Sequence, residues 1–323
     1  MPEGSTIVAQ LAQTIADAMR SDDRVVLVGE DVRDGGMLGL SRVAAGDEKL
    51  APRIVPTPLT PAAVFGHAAG LAMGGVRPWV LLPSAAALVE GYAGLVELAR
   101  VHTSTAGERS AHVLILAPNG PGFGLGGDSA ASVETALTAL PGLRVLSCGD
   151  ASQVCGLVRH AASFSEGPEP TVVLIAREAL LCSDDGIETA IEPAVRVLHQ
   201  GAHATVLSWG PALRRAQQAV QAARAEGIDV GLLDVVSLAP LDQEQLVAAV
   251  QQTGKLVIVH AGGRSQGTGA ELAALMADLA ILHLDAPILR VTGSAGPWPR
   301  VAEQSALPAV DAICEAISRV AHY

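Results

Sequence analysis

Two adjacent carboxylates, a glycine-rich loop and one histidine are the places in this sequence where residue type and spacing could do chemistry. Glu30 and Asp31 close a short apolar run, RVVLVG at residues 24–29. Such a run reads as a buried parallel strand. In open α/β sheets, ligands bind beyond the carboxyl ends of the strands. The same pair could instead cap a loop or pair with Arg33. The loop at residues 119–127, NGPGFGLGG, lies between a strand and a helix. There, backbone N–H groups could cradle an anion. It is neither GxGxxG opening a helix nor GxxxxGK[ST], and it holds no basic residue, so a mobile surface loop is the competing reading. His260 ends another apolar strand and precedes Gly262 and Gly263. It could line a cleft or be a packed structural ring. GxSxG, HExxH and metal-spaced His/Cys clusters are absent. Cys148, Cys155, Cys182 and Cys314 show no CxxC spacing and read as buried thiols in a reducing cytoplasm.

The elements that must position these groups centre on residues 56–78, PTPLTPAAVFGHAAGLAMGGVRP. Pro56 and Pro58 hold an extended approach. Thr60 can cap a helix and Pro61 can fill its first turn. The helix over 61–73 has no acidic residue, lysine or arginine, and its composition predicts burial all round. Gly66 and Gly70, four apart, would let another backbone come close, as at a subunit interface. Before this stretch, Ile7, Leu11, Ile15 and Met19 mark an amphipathic helix. After it come a strand at 79–82, a helix at 85–102, a strand at 113–117, a helix at 132–140 and further alternation to residue 176. Residues 181–200 break the pattern. A second alternating series then runs to the C-terminus, and in it Leu238-Ala-Pro-Leu-Asp242 caps a helix start. The fold class expected is therefore α/β, with two doubly wound domains at 1–185 and 201–323 joined by a linker at 186–200.

Half of the 323 residues are hydrophobic but only 2% are aromatic, so Ala, Val and Leu must fill the core. The net charge of −12 argues against nucleic acid or an anionic membrane as partner. No apolar run reaches the roughly 18 residues a membrane span needs. The first residues, MPEGSTIVAQ, lack the basic-then-apolar order of a signal peptide. A cytoplasmic location is expected.

Several short stretches resemble one family in their order along nearly the whole chain. They are Val28-Gly-Glu-Asp-Val32, Thr57-Pro-Leu59 with Gly70 through Arg77-Pro78, Leu140-Pro-Gly-Leu-Arg-Val145, Leu238-Ala-Pro-Leu-Asp242, Val257-Ile-Val-His260, Gly267-Thr-Gly-Ala-Glu271 and Asp285-Ala-Pro-Ile-Leu-Arg-Val-Thr-Gly293. The family is the beta subunit of the thiamine-diphosphate-dependent decarboxylase of 2-oxo acid dehydrogenase complexes, related to transketolase. The resemblance implies a pyrimidine-binding domain followed by a transketolase C-terminal-like domain. It implies thiamine diphosphate with Mg²⁺, held mainly by an alpha-type partner subunit in an α2β2 assembly. It also implies an acyl-carrying transferase as a further partner.

The resemblance weakens at the catalytic positions. The family carries a glutamate that bonds N1′ of the aminopyrimidine, and Pro61 stands in its place. An aromatic-rich segment near the pyrimidine becomes Leu82-Pro-Ser-Ala-Ala-Ala87, which puts Ser84 and Ala85 beside the cofactor. A His-Ser-Gln of the family aligns near Ser129, Ala130 and Ala131, and the Glu after the family's strand His becomes Ala261. Glu30 and Asp128 are left as the nearest acids. The resemblance thus makes Glu30, Asp128, Ser129 and His260 the catalytic candidates, and Glu30, Pro61, Ser84 and Ala85 the cofactor contacts, with no metal ligand in this chain. Two functions follow: a beta-type subunit with altered chemistry, or a non-catalytic scaffold that stabilises an alpha-type partner.

Overall fold

The computed structural model describes residues 6–105, 111–163, 167, 169–182, 191, 194–294, 296 and 298–323. Residues 186–190 and 192–193 of the predicted linker lie outside the described residues, as do residues 1–5 at the start of the chain. The chain forms two compact units. The first comprises residues 1–119 and 136–193, and the second residues 120–135 and 194–323.

The first unit contains strands β1 (Val25–Gly29), β2 (Ile54–Pro56), β3 (Arg77–Leu81), β4 (Leu114–Asn119), β5 (Arg144–Cys148) and β6 (Thr171–Ala176). Its helices are α1 (Ile7–Ser21), α2 (Arg42–Ala45), α3 (Pro61–Met73), α4 (Ala86–Glu90) and α5 (Tyr92–Thr103). The excursion into the second unit ends within α6 (Glu134–Thr138), and α7 (Val154–Ser163) and α8 (Arg177–Leu180) follow in the first. The strands lie side by side in the order β5-β6-β4-β3-β1-β2, and every pairing among them is parallel. Helices on both faces explain the continuous apolar strand sequences: every residue of β4 and β6 is buried. Read from its β2 edge, the sheet begins 2-1-3-4, so the chain runs to one side of β1 and then crosses back. The switch point falls between β1 and β3.

Two helical expectations are corrected here. The stretch 85–102 is two helices, α4 and α5, broken at Gly91. A Cβ on Gly91 would stand 2.7 Å from both Phe65 and Pro61, and one on Gly94 2.5 Å from the Ala62 carbonyl oxygen. These two glycines let α5 press against the first turn of α3. Nor is α3 buried all round in the single chain. Val64, Phe65, Ala68 and Ala72 are buried, whereas Ala62, Ala63, Gly66, His67, Gly70 and Met73 are exposed. No atom lies within 4 Å of a Cβ built at Gly66 or Gly70. This chain alone covers one face of the helix.

In the second unit, strands β7 (Val195–His199), β8 (Ala204–Ser208), β9 (Val230–Val235), β10 (Ser237–Ala239), β11 (Leu256–His260) and β12 (Leu289–Thr292) are accompanied by α9 (Leu213–Ala225), α10 (Gln243–Thr253), α11 (Thr268–Leu279) and α12 (Val310–Ala321). A five-stranded sheet runs β12-β11-β8-β9-β7, parallel except for β7 against β9. Its first strand, β7, lies inside the stretch read from sequence as a linker. Side chains alternate across this sheet. Val206, Val257 and Val259 pack with Ala216, Val220, Ile313 and Ile317 of α9 and α12. Thr205, next to Val206, turns the other way and donates its hydroxyl to the Ala249 carbonyl of α10. Asp242 caps α10 by accepting from the Gln245 N–H at 3.0 Å, as the sequence predicts.

Candidate functional site

In the first unit the register aligns the carboxyl ends of the strands. Gly29 pairs with Leu81 and with Pro56, Leu81 with Leu116, and Asn119 with Ala176. The residues that follow, Glu30, Thr57, Leu82–Ala85 and Arg177, therefore emerge at one edge of the sheet. Glu30 follows β1 and Ser84 follows β3, so they flank the switch point. Glu30 is half-buried, and its carboxylate has no partner among the described residues. The backbone turns sharply after it: Asp31 has φ +52, and its carbonyl accepts from the N–H groups of Asp34 and Gly36. Thr57 donates its N–H to the Gly29 carbonyl at 2.9 Å, and its buried hydroxyl oxygen has no hydrogen-bond partner.

Ser84 and Ala85 are held firmly. The Ala85 N–H donates to the Pro118 carbonyl at 2.8 Å, and the Leu82 N–H to the Leu116 carbonyl at 3.0 Å. Ser84 Oγ accepts from the Ala86 N–H and, at 2.9 Å, from the guanidinium of Arg177. Arg177 is fully buried, and sequence reasoning missed it. The available signal was an arginine directly after a wholly apolar strand, the same pattern that drew notice to Glu30.

Pro61 is the first residue of α3, half-buried against α5. Thr60 occupies the N-cap position, but its side chain makes no capping bond. The first turn, Pro61-Ala-Ala-Val64, presents no group that can exchange a proton. The fit to an aminopyrimidine is consequently partial. The orphaned Thr57 hydroxyl and the open Glu30 carboxylate suit a ring carrying donors and acceptors, while α3 offers it no carboxylate.

The second unit holds the remaining candidates. Asp128 is exposed and Ser129 half-buried, in a short turn over Gly127–Ala130 that closes the glycine-rich loop. That loop does cradle an anion, and the anion belongs to this chain. The N–H groups of Gly122, Gly124 and Gly126 donate to the Glu303 carboxylate at 2.9, 2.7 and 3.0 Å. Beyond the loop, Thr135 Oγ1 accepts from the Thr268 N–H at 3.1 Å, joining this stretch to the start of α11.

His260 sits against that same helix start. It is 1% exposed and stacked on Trp209, with ring centroids 5.1 Å apart and planes 9° from parallel. Cβ atoms at Gly262 and Gly269 would stand 3.2 Å from Nδ1 and 2.3 Å from Nε2, so glycine is what admits the ring. Burial, with a smaller contribution from Arg290, lowers its pKa to about 4. The imidazole is neutral at pH 7, and its Nε2 has no partner. The structure thus brings Glu30, Pro61, Ser84 and Ala85 onto the first unit, and Asp128, Ser129 and His260 onto the second.

Two cavities lie away from these residues. One, of about 450 Å³, opens at the amino-terminal end of the first sheet beside Asp22, Arg77 and Trp79. The other, of about 250 Å³, lies between β7, β9 and α10 in the second unit.

Residues 5–181 match the pyrimidine-binding domain of transketolase, and residues 194–313 match the transketolase C-terminal domain. The 3-methyl-2-oxobutanoate dehydrogenase subunit beta of Mycobacterium tuberculosis is 31% identical over 323 residues, covering 98% of this chain and 91% of that protein. The pyruvate dehydrogenase E1 component subunit beta of Acholeplasma laidlawii is 30% identical over 296 residues, 89% of each chain. Among solved structures, a split-gene transketolase described as an inactive beta4 tetramer superposes with a TM-score of 0.76 over 98% of both chains at 21% identity, a likeness of fold.

Proposed function

The chain belongs to the family of 2-oxo acid dehydrogenase beta subunits built from transketolase pyrimidine-binding and C-terminal domains, and from that premise we propose that it is the beta-type subunit of a split thiamine-diphosphate-dependent enzyme with an altered pyrimidine site. The observation that carries this reading is the position of Glu30 and Ser84-Ala85 on either side of the switch point, in a sheet whose Thr57 hydroxyl is buried without a partner. The cofactor supplies a carbon nucleophile that takes up and releases an acyl or ketol group. The chain's own part is to bind and orient the pyrimidine ring. Glu30 takes the role of carboxylate acceptor, Ser84 is set in place by Arg177, and Pro61 and Ala85 form apolar walls. Asp128 and Ser129 are assigned to proton handling on the acceptor side. His260 enters as a neutral ring backing the glycine turn at 262–269.

In this reading the diphosphate and Mg²⁺ are held by an alpha-type partner, since the loop N–H groups that could take a phosphate already serve Glu303. Self-association into α2β2 is supported by the exposed, uncharged face of α3 at Ala62, Gly66, Gly70 and Met73. The beta4 assembly named for the split transketolase supports it as well. The substrate class is a 2-oxo acid, with an acyl-carrying transferase as downstream partner and the cytoplasm as location. Four free cysteines are consistent with that compartment.

The scaffold reading is favoured by one observation, the absence of any proton-exchanging side chain in the first turn of α3. Co-purification with a co-expressed alpha-type subunit, followed by titration of thiamine diphosphate and Mg²⁺, separates the two. Saturable binding by the complex, with none by the isolated chain, is expected. A complex that retains no cofactor leaves the scaffold.

A further inference from the structure

The contact between Glu303 and the glycine-rich loop lies wholly within the second unit and has no counterpart in the proposed chemistry. Glu303 is 5% exposed, in a short helical segment over Arg300–Ala306. Its Oε1 accepts from Gly122 and Gly124, and its Oε2 from Gly126. Hydrogen bonds to an ionised acceptor are the strong ones, and alternate N–H groups converging on one anion form a backbone nest. The backbones also meet directly, through the Gly127 N–H and the Trp298 carbonyl at 2.6 Å. Gly126 has φ +64, and a Cβ there would stand 2.7 Å from the Arg300 nitrogen, so only glycine follows this path. Five of the eight residues at 120–127 are glycine, which makes the free loop costly to order. Glu303 supplies the compensating bonds. Asp128 and Ser129 follow at once, so the residues that leave the nest are the two candidates of this unit.

We propose that Glu303 is a positioning residue: its carboxylate latches the glycine loop and thereby sets where Asp128 and Ser129 are presented. The presentation rests on the functional reading given above, whereas the latch itself does not.

The test uses the full chain in complex with its alpha-type partner. In Glu303→Ala, deuterium exchange of the peptide covering 120–131 should rise at least about tenfold. Formate at millimolar concentration should refill the nest and restore protection. Decarboxylation of 3-methyl-2-oxobutanoate by the complex should fall and return along the same formate titration, which a merely structural defect would not do. Glu303→Gln, which keeps the side-chain volume, should raise exchange chiefly at Gly126, where an amide N–H would face an N–H. It carries the test if the alanine variant does not fold. Unchanged loop exchange in both variants overturns the latch. Protection that formate restores without restoring turnover overturns the positioning role. A wild-type complex that binds no cofactor fails the functional reading, while the exchange data still decide the latch.

Discussion

The carboxyl edge of the first sheet and the glycine loop of the second unit treat a negative charge in opposite ways. At the first, the position beside α3 that a carboxylate would occupy is Pro61, and nearby polar groups, Glu30 and the Thr57 hydroxyl, stand without partners. At the second, a nest of N–H groups is closed by the chain's own Glu303. An unpartnered buried polar atom costs free energy and is retained where something else satisfies it. A filled nest needs nothing further. The first edge is therefore the one open to a ligand, and the second is a fastening.

The largest effect that would break this contrast comes from Pro61→Glu. A carboxylate in the first turn of α3 is tolerated by the helix dipole. General acid–base help is worth on the order of 10²- to 10⁴-fold. Proton exchange at C2 of the bound cofactor, followed by NMR in the assembled complex, should rise within that range. Exchange already fast and unaltered by the substitution would show that Glu30 suffices.

Buried His260 in the second unit and Asp22 in the first titrate in different windows. His260 in the folded chain has a pKa of about 4, against 6.5 when unfolded. A depressed imidazole pKa contributes stability that is present above pH 6.5 and lost as pH falls from 6.5 to 4, in total about 3 kcal/mol. In the first unit Asp22 is held at about 2, chiefly by its hydrogen bonds with the Arg24 guanidinium. Its contribution is lost only below pH 3.8. Urea midpoints followed by Trp209 fluorescence should decline between pH 6.5 and 4. A flat response there contradicts the buried neutral ring.

Gly94→Ala tests how α3 is seated at the open edge. Alanine is about 1 kcal/mol better than glycine in a free helix. Here the added carbon would lie 2.5 Å from the Ala62 carbonyl oxygen, in backbone that cannot step aside. Overpacking wins, and a net loss of about 1–3 kcal/mol is expected from denaturant unfolding. The smallest effect sharpens the comparison most. Thr57→Val removes an orphaned hydroxyl at constant shape and should raise the stability of the isolated chain by about 1 kcal/mol. The same substitution should weaken cofactor retention by the complex. A stabilised chain with unchanged retention would mean that the edge does not use this hydroxyl.

No described helix is long and apolar enough to cross a membrane. The strands were legible because a parallel strand covered on both faces must be largely apolar, and β1, β4, β6 and β11 are, with polar residues only at an end: Asn119, Thr171 and His260. The cap at Asp242 was legible because donor and acceptor are three residues apart. The break at Gly91 was not. A glycine in a helical pattern signals only weakly, and its reason lies in Pro61 and Phe65 of another helix.

The sequence by itself determined most of the strands, the two α/β halves, the family resemblance and the absence of a carboxylate at position 61. Those properties are written in residue types and short spacings. Tertiary structure alone decided which glycines bind what and which helix faces stay bare. Gly122 and Glu303 are 181 residues apart, and no local pattern marks either as the other's partner. The exposed side of α3 reads as core from composition, because an apolar helix face looks the same whether this chain or another covers it. What separates the cases is the chain's path through space, where packing and hydrogen-bond partners are chosen.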